Sequence, residues 1–359
     1  MKIIRSSKHT LKFATEQKRE VLNELLEEYS RVCNIFIDLF WIGEFEKKDI
    51  LASVTSSVES WLSARAKQCA AREALAMVNG SKEKAKESEE EPLKPAHNGK
   101  RMILSSQCVS IEEGKNSFDL WIVIHSVGKH IKLYIPLRKH FHSNKFAGWK
   151  QCSSVTITQN YIQFSFEKEI GKKRTEGHLV GIDVGINHLL ATSMGELIGS
   201  EVKRLINIIK RRKQGSKGYK RAKKTLSYYL HKIVKDCLPW SELCLVVVER
   251  LKDLKKGKQQ NRGKEFRKTL SNWNYRELLN IIQMRSEENR VSFRTVNPYK
   301  TSQTCPVPAC SHTERGNRVG EKFKCLRCGY SNQADIVGSL NILARFISGQ
   351  YGAAFQANG

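Results

Sequence analysis

Four cysteines between positions 305 and 328 constrain the fold of this chain more tightly than any other feature. Cys305 and Cys310 are separated by four residues, Cys325 and Cys328 by two, and fourteen residues lie between the pairs. Four thiolates hold Zn²⁺ in a closed tetrahedral shell, which makes such a site structural rather than catalytic. Two tight turns must then face each other, and Gly329 suits the turn of the second pair. The first gap is wider than the usual two residues and carries Pro306 and Pro308, so His312 is an alternative to Cys310 as fourth ligand. The other six cysteines (33, 69, 108, 152, 237 and 244) are scattered and read as small core residues. A secreted disulfide framework would pair them, so the expected compartment is reducing: cytoplasmic and associated with the nucleoid.

Charge narrows the partner. The chain has 359 residues, with 62 Lys and Arg against 36 Asp and Glu, a formal charge of +26. So large an imbalance repels itself unless something anionic is bound, and a polyphosphate chain is the usual partner. No run of 18 apolar residues exists and the amino terminus lacks a signal-peptide core, so no membrane partner is expected.

Three regimes follow one another along the chain. Residues 15–42 predict a helix capped by Thr15, with Val21, Leu25, Val32, Phe36 and Leu39 at helical spacing. Leu51, Val54, Val58 and Trp61 predict a second helix, and Gly80–Gly99 is polar enough to read as a loop or flexible linker. From Met102 the pattern turns to short strands at Leu120–Ile124, Ile131–Ile135, Val155–Thr158 and Tyr161–Glu167, with Gln159 and Asn160 as a hairpin turn. These predict a small antiparallel sheet or barrel. The third regime predicts strands at Leu179–Val184, His188–Ser193 and Glu196–Ile198, a basic helix over 201–235, and a strand at Leu243–Val248. A helix around Tyr275–Ile282, a strand at Ser292–Val296, the cysteine cluster and a last helix with Ile336, Leu340, Leu343 and Ile347 complete it. The order β-β-β-α-β-α-β, insertion, α is that of an RNase H-like domain.

Three acids sit at telling places in that order. Asp183 lies inside the apolar run Leu179–Val184, Glu249 ends the next long strand, and Asp335 opens the last helix. An acid within such a run is costly to desolvate unless a cation compensates it. Carboxylate oxygens suit Mg²⁺ or Mn²⁺. Two such ions about 3.5–4 Å apart would polarise a scissile phosphate, activate water and stabilise the leaving oxygen. Glu249 alone could be a loop residue and Asp335 alone a helix cap, but the three together on those elements favour a metal site.

The basic residues Lys210, Arg211, Arg212 and Lys213, and then Lys220, Arg221, Lys223 and Lys224, have few acids to pair with and read as nucleic-acid contacts. The 250–268 loop is also basic and follows Glu249 directly. Trp273 and Tyr299 could stack bases but read as core residues.

Four stretches resemble the TnpB proteins of insertion sequences and the related compact type V CRISPR effectors. They are GIDVGINHLLATS (181–193), VVVERLKDLKKG (246–257), NPYKTSQTC (297–305) with KCLRCG (324–329), and DIVGSLNILAR (335–345). The resemblance implies that Asp183, Glu249 and Asp335 are the acids of a RuvC nuclease site and that Cys305, Cys310, Cys325 and Cys328 bind zinc. It implies a multidomain α+β fold: an RNase H-like (RuvC) α/β core over 176–300 and 333–350 with a zinc-ribbon insertion at 301–332. A helical recognition domain over 13–99, with a linker at 80–99, would sit with a small wedge-like β-barrel built from 1–12 and 100–175, and 351–359 would be a tail. The implied function is RNA-guided cleavage of double-stranded DNA beside a short adjacent motif, with a guide RNA from the transposon end. A compact CRISPR effector and an RNA-guided DNA-binding repressor are the alternatives. Val337 departs from the family's usual Asn in the last helix, whereas Asn341 stands at its second Asn.

Overall fold

The strand β1 (Lys2–Thr10) turns Ile3, Ser7 and His9 inward, and the helix α1 (Glu16–Ile42) begins six residues after it. The computed structural model describes residues 1–349 apart from 51, 115–116, 252–262, 264–267 and 270. Its residues cluster into two units, Lys2–Glu169 and the chain from Ile170 onward.

In the first unit, α1 is followed by the short helix α2 (Ala52–Ser56) and the long helix α3 (Ala64–Ser88). Leu22, Leu25, Tyr29, Val32 and Phe36 of α1 and Ala66, Ala70 and Ala74 of α3 are buried in one core. Two expectations fail here. The predicted second helix stops at Ser56, its Leu51 lies outside the described residues, and Gly80–Ser88 continues α3 instead of forming a linker. Ser63 starts α3 by accepting a hydrogen bond from the Ala66 N–H (3.1 Å), and Ala, Lys and Glu are strong helix formers that carry it past Gly80.

Seven strands complete this unit: β1, β2 (Arg101–Ser105), β3 (Val109–Glu113), β4 (Leu120–Ile124), β5 (Leu133–Leu137), β6 (Lys150–Thr158) and β7 (Tyr161–Glu169). They pair as two antiparallel sheets, β1-β7-β6-β2 and β3-β4-β5, so the expected barrel is not closed among the described residues. Gln159 and Asn160 make the β6–β7 turn, as expected, and the Thr158 hydroxyl donates to the Tyr161 carbonyl across it (2.9 Å).

The second unit is built on β8 (His178–Val184), β9 (Leu190–Thr192), β10 (Leu197–Ile198), α4 (Val202–Lys210), α5 (Lys217–Asp236), β11 (Leu243–Glu249), α6 (Tyr275–Glu288) and β12 (Ser292–Val296). A small three-stranded sheet of β13 (Arg318–Val319), β14 (Lys322–Lys324) and β15 (Ser331–Gln333) precedes the last helix, α7 (Ala334–Ile347). The main sheet runs β10-β9-β8-β11-β12, with β8, β9 and β10 antiparallel and β11 and β12 parallel to β8. The predicted basic helix is two helices, because Ser216 caps a fresh start and its hydroxyl accepts from the Tyr219 N–H.

Strand alternation decides what each face of this sheet meets. Val180, Ile182, Val246 and Val248 are buried with residues of α4, α5 and α6. Leu245 and Val247 are buried with Ile342 of α7, which covers the opposite face. Gly181 sits where α7 crosses β8: a Cβ there would lie 2.2 Å from the Ser339 carbonyl oxygen and 2.9 Å from the Leu343 Cβ. A methyl group has no room, so glycine lets helix and strand backbones touch. Replacing Gly181 with Ala should therefore destabilise this unit by about 1–3 kcal/mol, the usual cost of overpacking. Urea unfolding of the full chain measures it, and an unchanged midpoint would contradict the close approach.

Candidate active site and metal centre

The register of β8 and β11 brings two of the predicted acids together. Val247 pairs with Gly181 and Val248 with Ile182, so Glu249 falls next to Asp183 on the neighbouring strand, on the α7 face of the sheet. The third acid, Asp335, is in the first turn of α7. One turn further on, a Cβ at Gly338 would lie 2.8 Å from Asp183 Oδ2, so the helix backbone closes directly over this carboxylate. The three acids thus share one site although 151 residues lie between Asp183 and Asp335 in the chain.

Their electrostatics are those of crowded anions. The Asp183 carboxyl is held well above the usual carboxylate range, first by desolvation, then by repulsion from Glu249 and Asp335. Desolvation also raises Glu249, against the hydrogen bond from Thr301 and the fields of Arg345 and Arg318. Two like charges about 4 Å apart cost about 4 kcal/mol at the effective dielectric of a protein. Two guanidinium groups offset part of this. Arg318 donates to Asp335 Oδ1 at 3.0 Å, and Arg345, which donates to the Asn297 (2.7 Å) and Tyr299 carbonyls, acts on Glu249 through its field. Three carboxylates against two guanidinium groups leave a net negative site built from oxygen donors, which fits a divalent cation such as Mg²⁺ or Mn²⁺.

Neighbouring side chains hold the acids in place. The Thr301 hydroxyl donates to Glu249 Oε1. Asn341, buried in α7, donates to the Thr301 and Thr304 carbonyls, both at 2.7 Å, and so anchors the segment carrying that hydroxyl. Gln333 caps α7 by accepting from the Asp335 and Ile336 N–H groups. Sequence reasoning missed Arg318, Arg345, Thr301 and Gln333 as parts of the site. Thr301, inside TSQTC, and Arg345, at the end of DIVGSLNILAR, lay in segments that stood out.

The cysteines converge as the spacing predicts. The ligand atoms of Cys305, Cys310, Cys325 and Cys328 all lie within 4.8 Å of one another, with Cys305–Cys328 and Cys310–Cys325 sulfur pairs at 3.6 and 3.7 Å. A tetrahedron with Zn–S bonds of about 2.3 Å has edges of about 3.8 Å, so this set fits zinc. His312 is turned to Glu314 (3.0 Å), which leaves Cys310 as the fourth donor. Gly329 adopts φ +77°, the left-handed turn expected after the second pair. Asn317 ties the halves of the ribbon together, donating to the Gln303 and His312 carbonyls and accepting from Leu326 N–H. Val337, at the position where the family usually carries Asn, is buried with Cys305, Phe323 and Cys325 and packs α7 against the ribbon.

A family profile described as "Cas12f1-like, TNB domain" matches residues 275–342, the stretch that carries the four cysteines and Asp335. The TnpB-like protein MJ0751 of Methanocaldococcus jannaschii is 27% identical over 129 residues, 35% of this chain and 44% of that protein. The CRISPR-associated endodeoxyribonuclease Cas12f1 of Sulfoacidibacillus thermotolerans is 38% identical over 74 residues, 20% of this chain. Over these stretches the chain is similar to TnpB-like proteins and to Cas12f1. It spans less than half the length of either curated relative, 44% and 17%. Two solved structures share the fold of this chain. One is a Cas12f1-sgRNA-target DNA complex (14% identity, TM-score 0.55, 91% of this chain and 83% of that one). The other is the mini-RNA-guided endonuclease CRISPR-Cas_phi3 (11%, TM-score 0.59, 96% and 92%).

The basic residues predicted to meet nucleic acid are spread over several elements of the chain. Lys210 ends α4, Arg211, Arg212 and Lys213 follow it in the link to α5, and Lys220, Arg221, Lys223 and Lys224 are on α5. The Lys223 ammonium lies over the Tyr219 ring, 5.5 Å from its centroid. Most of the 250–268 loop lies outside the described residues. Trp273 is buried, as expected of a core residue, whereas Tyr299 is 66% exposed, contrary to that expectation.

Two outcomes follow from these geometries. Zinc content by mass spectrometry should fall in Cys310→Ser and stay at one per chain in His312→Ala; the reverse would put the imidazole in the shell. Asp183 and Glu249, raised above the ordinary range, contribute stability that is full below about pH 4 and is lost as pH rises through their raised values. A bound divalent cation relieves that loss, so Mg²⁺ should raise Tm more at pH 8 than at pH 5. Equal shifts at both pH values would show that these carboxylates do not take the ion.

Proposed function

We propose that this chain is an RNA-guided DNA endonuclease of the TnpB type whose RuvC-type site uses Asp183, Glu249 and Asp335. The observation that carries the proposal is the meeting of these three acids on one sheet face, through the β8–β11 register and the close passage of α7. The 3-2-1-4-5 strand order, with its first three strands antiparallel, supports an RNase H-like core.

The acids would hold Mg²⁺ or Mn²⁺, and the chemistry such ions supply when bound is polarisation of a phosphate, activation of water and stabilisation of the leaving oxygen. The chain's own residues set the conditions. Thr301 and Asn341 fix the Glu249 carboxylate, Gly338 leaves room for that of Asp183, and Arg318 places a guanidinium beside Asp335, where it complements the charge of a phosphodiester. Cys305, Cys310, Cys325 and Cys328 would hold a structural Zn²⁺, which folds the ribbon that carries Arg318.

Guide RNA and double-stranded target DNA are the proposed partners, in keeping with the charge of +26 and with the sgRNA and target DNA of the Cas12f1 complex. Sequence choice would come from base pairing, with the protein reading a short duplex element beside the target. The helices and strands of Lys2–Glu169 would supply the recognition and wedge functions.

Plasmid cleavage by protein made with its native flanking transcript tests both parts of the proposal. Asp183→Ala, Glu249→Ala and Asp335→Ala should each abolish cleavage and leave DNA binding nearly intact, because metal ligation acts on the chemical step. Full activity of Asp183→Ala would remove the proposed site. Sequence-indifferent cutting by RNA-free protein would remove the guide and leave a nonspecific nuclease.

A further inference from the structure

The helix α5 carries a charge pattern that its role in the core does not require. Leu226, Leu230 and Val234 are its buried face and complete the core beneath the sheet. On the outer face, Lys217, Arg221, Lys224, Tyr228, Lys232 and Lys235 follow one another at intervals of three or four residues, and all six are exposed. Steps of three and four stack side chains in one row along a helix. From Lys217 to Lys235 this row is about 27 Å long at the helical rise of 1.5 Å per residue. Tyr228, 71% exposed, stands in the middle of it.

A solvated helix face ordinarily mixes signs, so that residues four apart attract. Here every charge in the row is positive. The one acid of the helix, Asp236, is at its end, 3.9 Å from Lys235. Among the described residues, Lys217, Arg221, Lys224 and Lys232 have no carboxylate within ion-pair distance. A row of like charges is self-repelling until a polyanion lies along it. An exposed aromatic ring within a basic row adds a surface on which an unpaired base can stack, the combination used to hold single strands.

The position of the row decides which strand it holds. Asp183 and Glu249 belong to the α7 face of the sheet, whereas α5 packs on the opposite face and turns the basic row away from it. The sheet and the body of a helix about 10 Å across separate the row from the acids. A strand on the row is therefore held without being presented for cleavage. Building on the RNA-guided reading above, we infer that the outer face of α5 is a track for a single-stranded segment of the bound RNA, with Tyr228 stacking on a base and the flanking Lys and Arg on phosphates.

Fluorescence anisotropy of the full chain with a 30-nucleotide mixed-sequence RNA, and with DNA of the same sequence, over a range of salt tests the inference. In Lys217→Ala/Arg221→Ala/Lys224→Ala, RNA affinity should fall at least tenfold and the slope of log K against log salt should flatten by about 2, at about 0.7 per lost phosphate contact. Tyr228→Ala should weaken RNA binding about tenfold with the salt slope unchanged, and Tyr228→Phe should restore it, since the ring and not the hydroxyl does the stacking. Thermal melts should match wild type, because the row contributes nothing to the core. RNA binding unchanged in both Ala variants would overturn the track while leaving the guided reading in place. A loss confined to the DNA probe would overturn the assignment to RNA. Wild-type protein that binds no RNA would remove the guided reading and the track with it.

Discussion

Burying Asp183 beside Glu249 is unfavourable for a chain without a counter-ion, and the surrounding elements are arranged to tolerate it. The β8–β11 register forces the two carboxylates to adjacent positions; desolvation pushes both above their ordinary range, and repulsion from Glu249 and Asp335 adds to it at Asp183. Sliding one strand by a single residue would turn an acid into the apolar core on the other face, so the same apolar alternation that folds the sheet also fixes the pair. Two glycines then let α7 approach. Gly181 admits the helix backbone against the strand, and Gly338 leaves the space that the Asp183 carboxylate occupies. Asp335 arrives with that helix.

The ribbon takes part in the same arrangement. Arg318 on β13 reaches Asp335, and Thr301, at the entry to the cysteine segment, reaches Glu249. Asn341 ties that entry back to α7. A metal bound by the four thiols would therefore have an effect beyond its own knuckles, because the fold of the ribbon sets the placement of side chains at the acid site. The apolar contact of Val337 with Cys305, Phe323 and Cys325 joins the helix of Asp335 to the ribbon in the same way.

The sequence made the second unit more legible than the first, for physical reasons. Leu243–Val248 is a continuous apolar run and Ser292–Val296 carries Phe, Thr and Val, and the strands fall where these predict. The three acids stood out because each interrupts or ends such an element. In the first unit, α3 buries alanines at Ala66, Ala70 and Ala74, whose small side chains mark its inner face weakly. Its last turns are Lys, Glu and Ser, a composition shared by linkers and exposed helix ends, so propensity and polarity gave opposite answers at Gly80–Ser88. Closure of the β strands into a barrel depends on pairings between distant segments, and strand patterns alone did not reveal that two sheets form. Arg318 was illegible because nothing local distinguishes it among 62 basic residues; its role comes from a hairpin that only the folded ribbon places beside Asp335.

The central claim is that three carboxylates distant in sequence form one divalent-cation site. Crystals of the full chain soaked in Mn²⁺, with anomalous scattering recorded at the manganese edge, test it most directly. The account predicts a manganese peak bonded to Asp183, Glu249 and Asp335, absent in Asp183→Asn crystals that retain their zinc. Ordered crystals with a zinc peak at the four cysteines and no manganese at the carboxylates would contradict it.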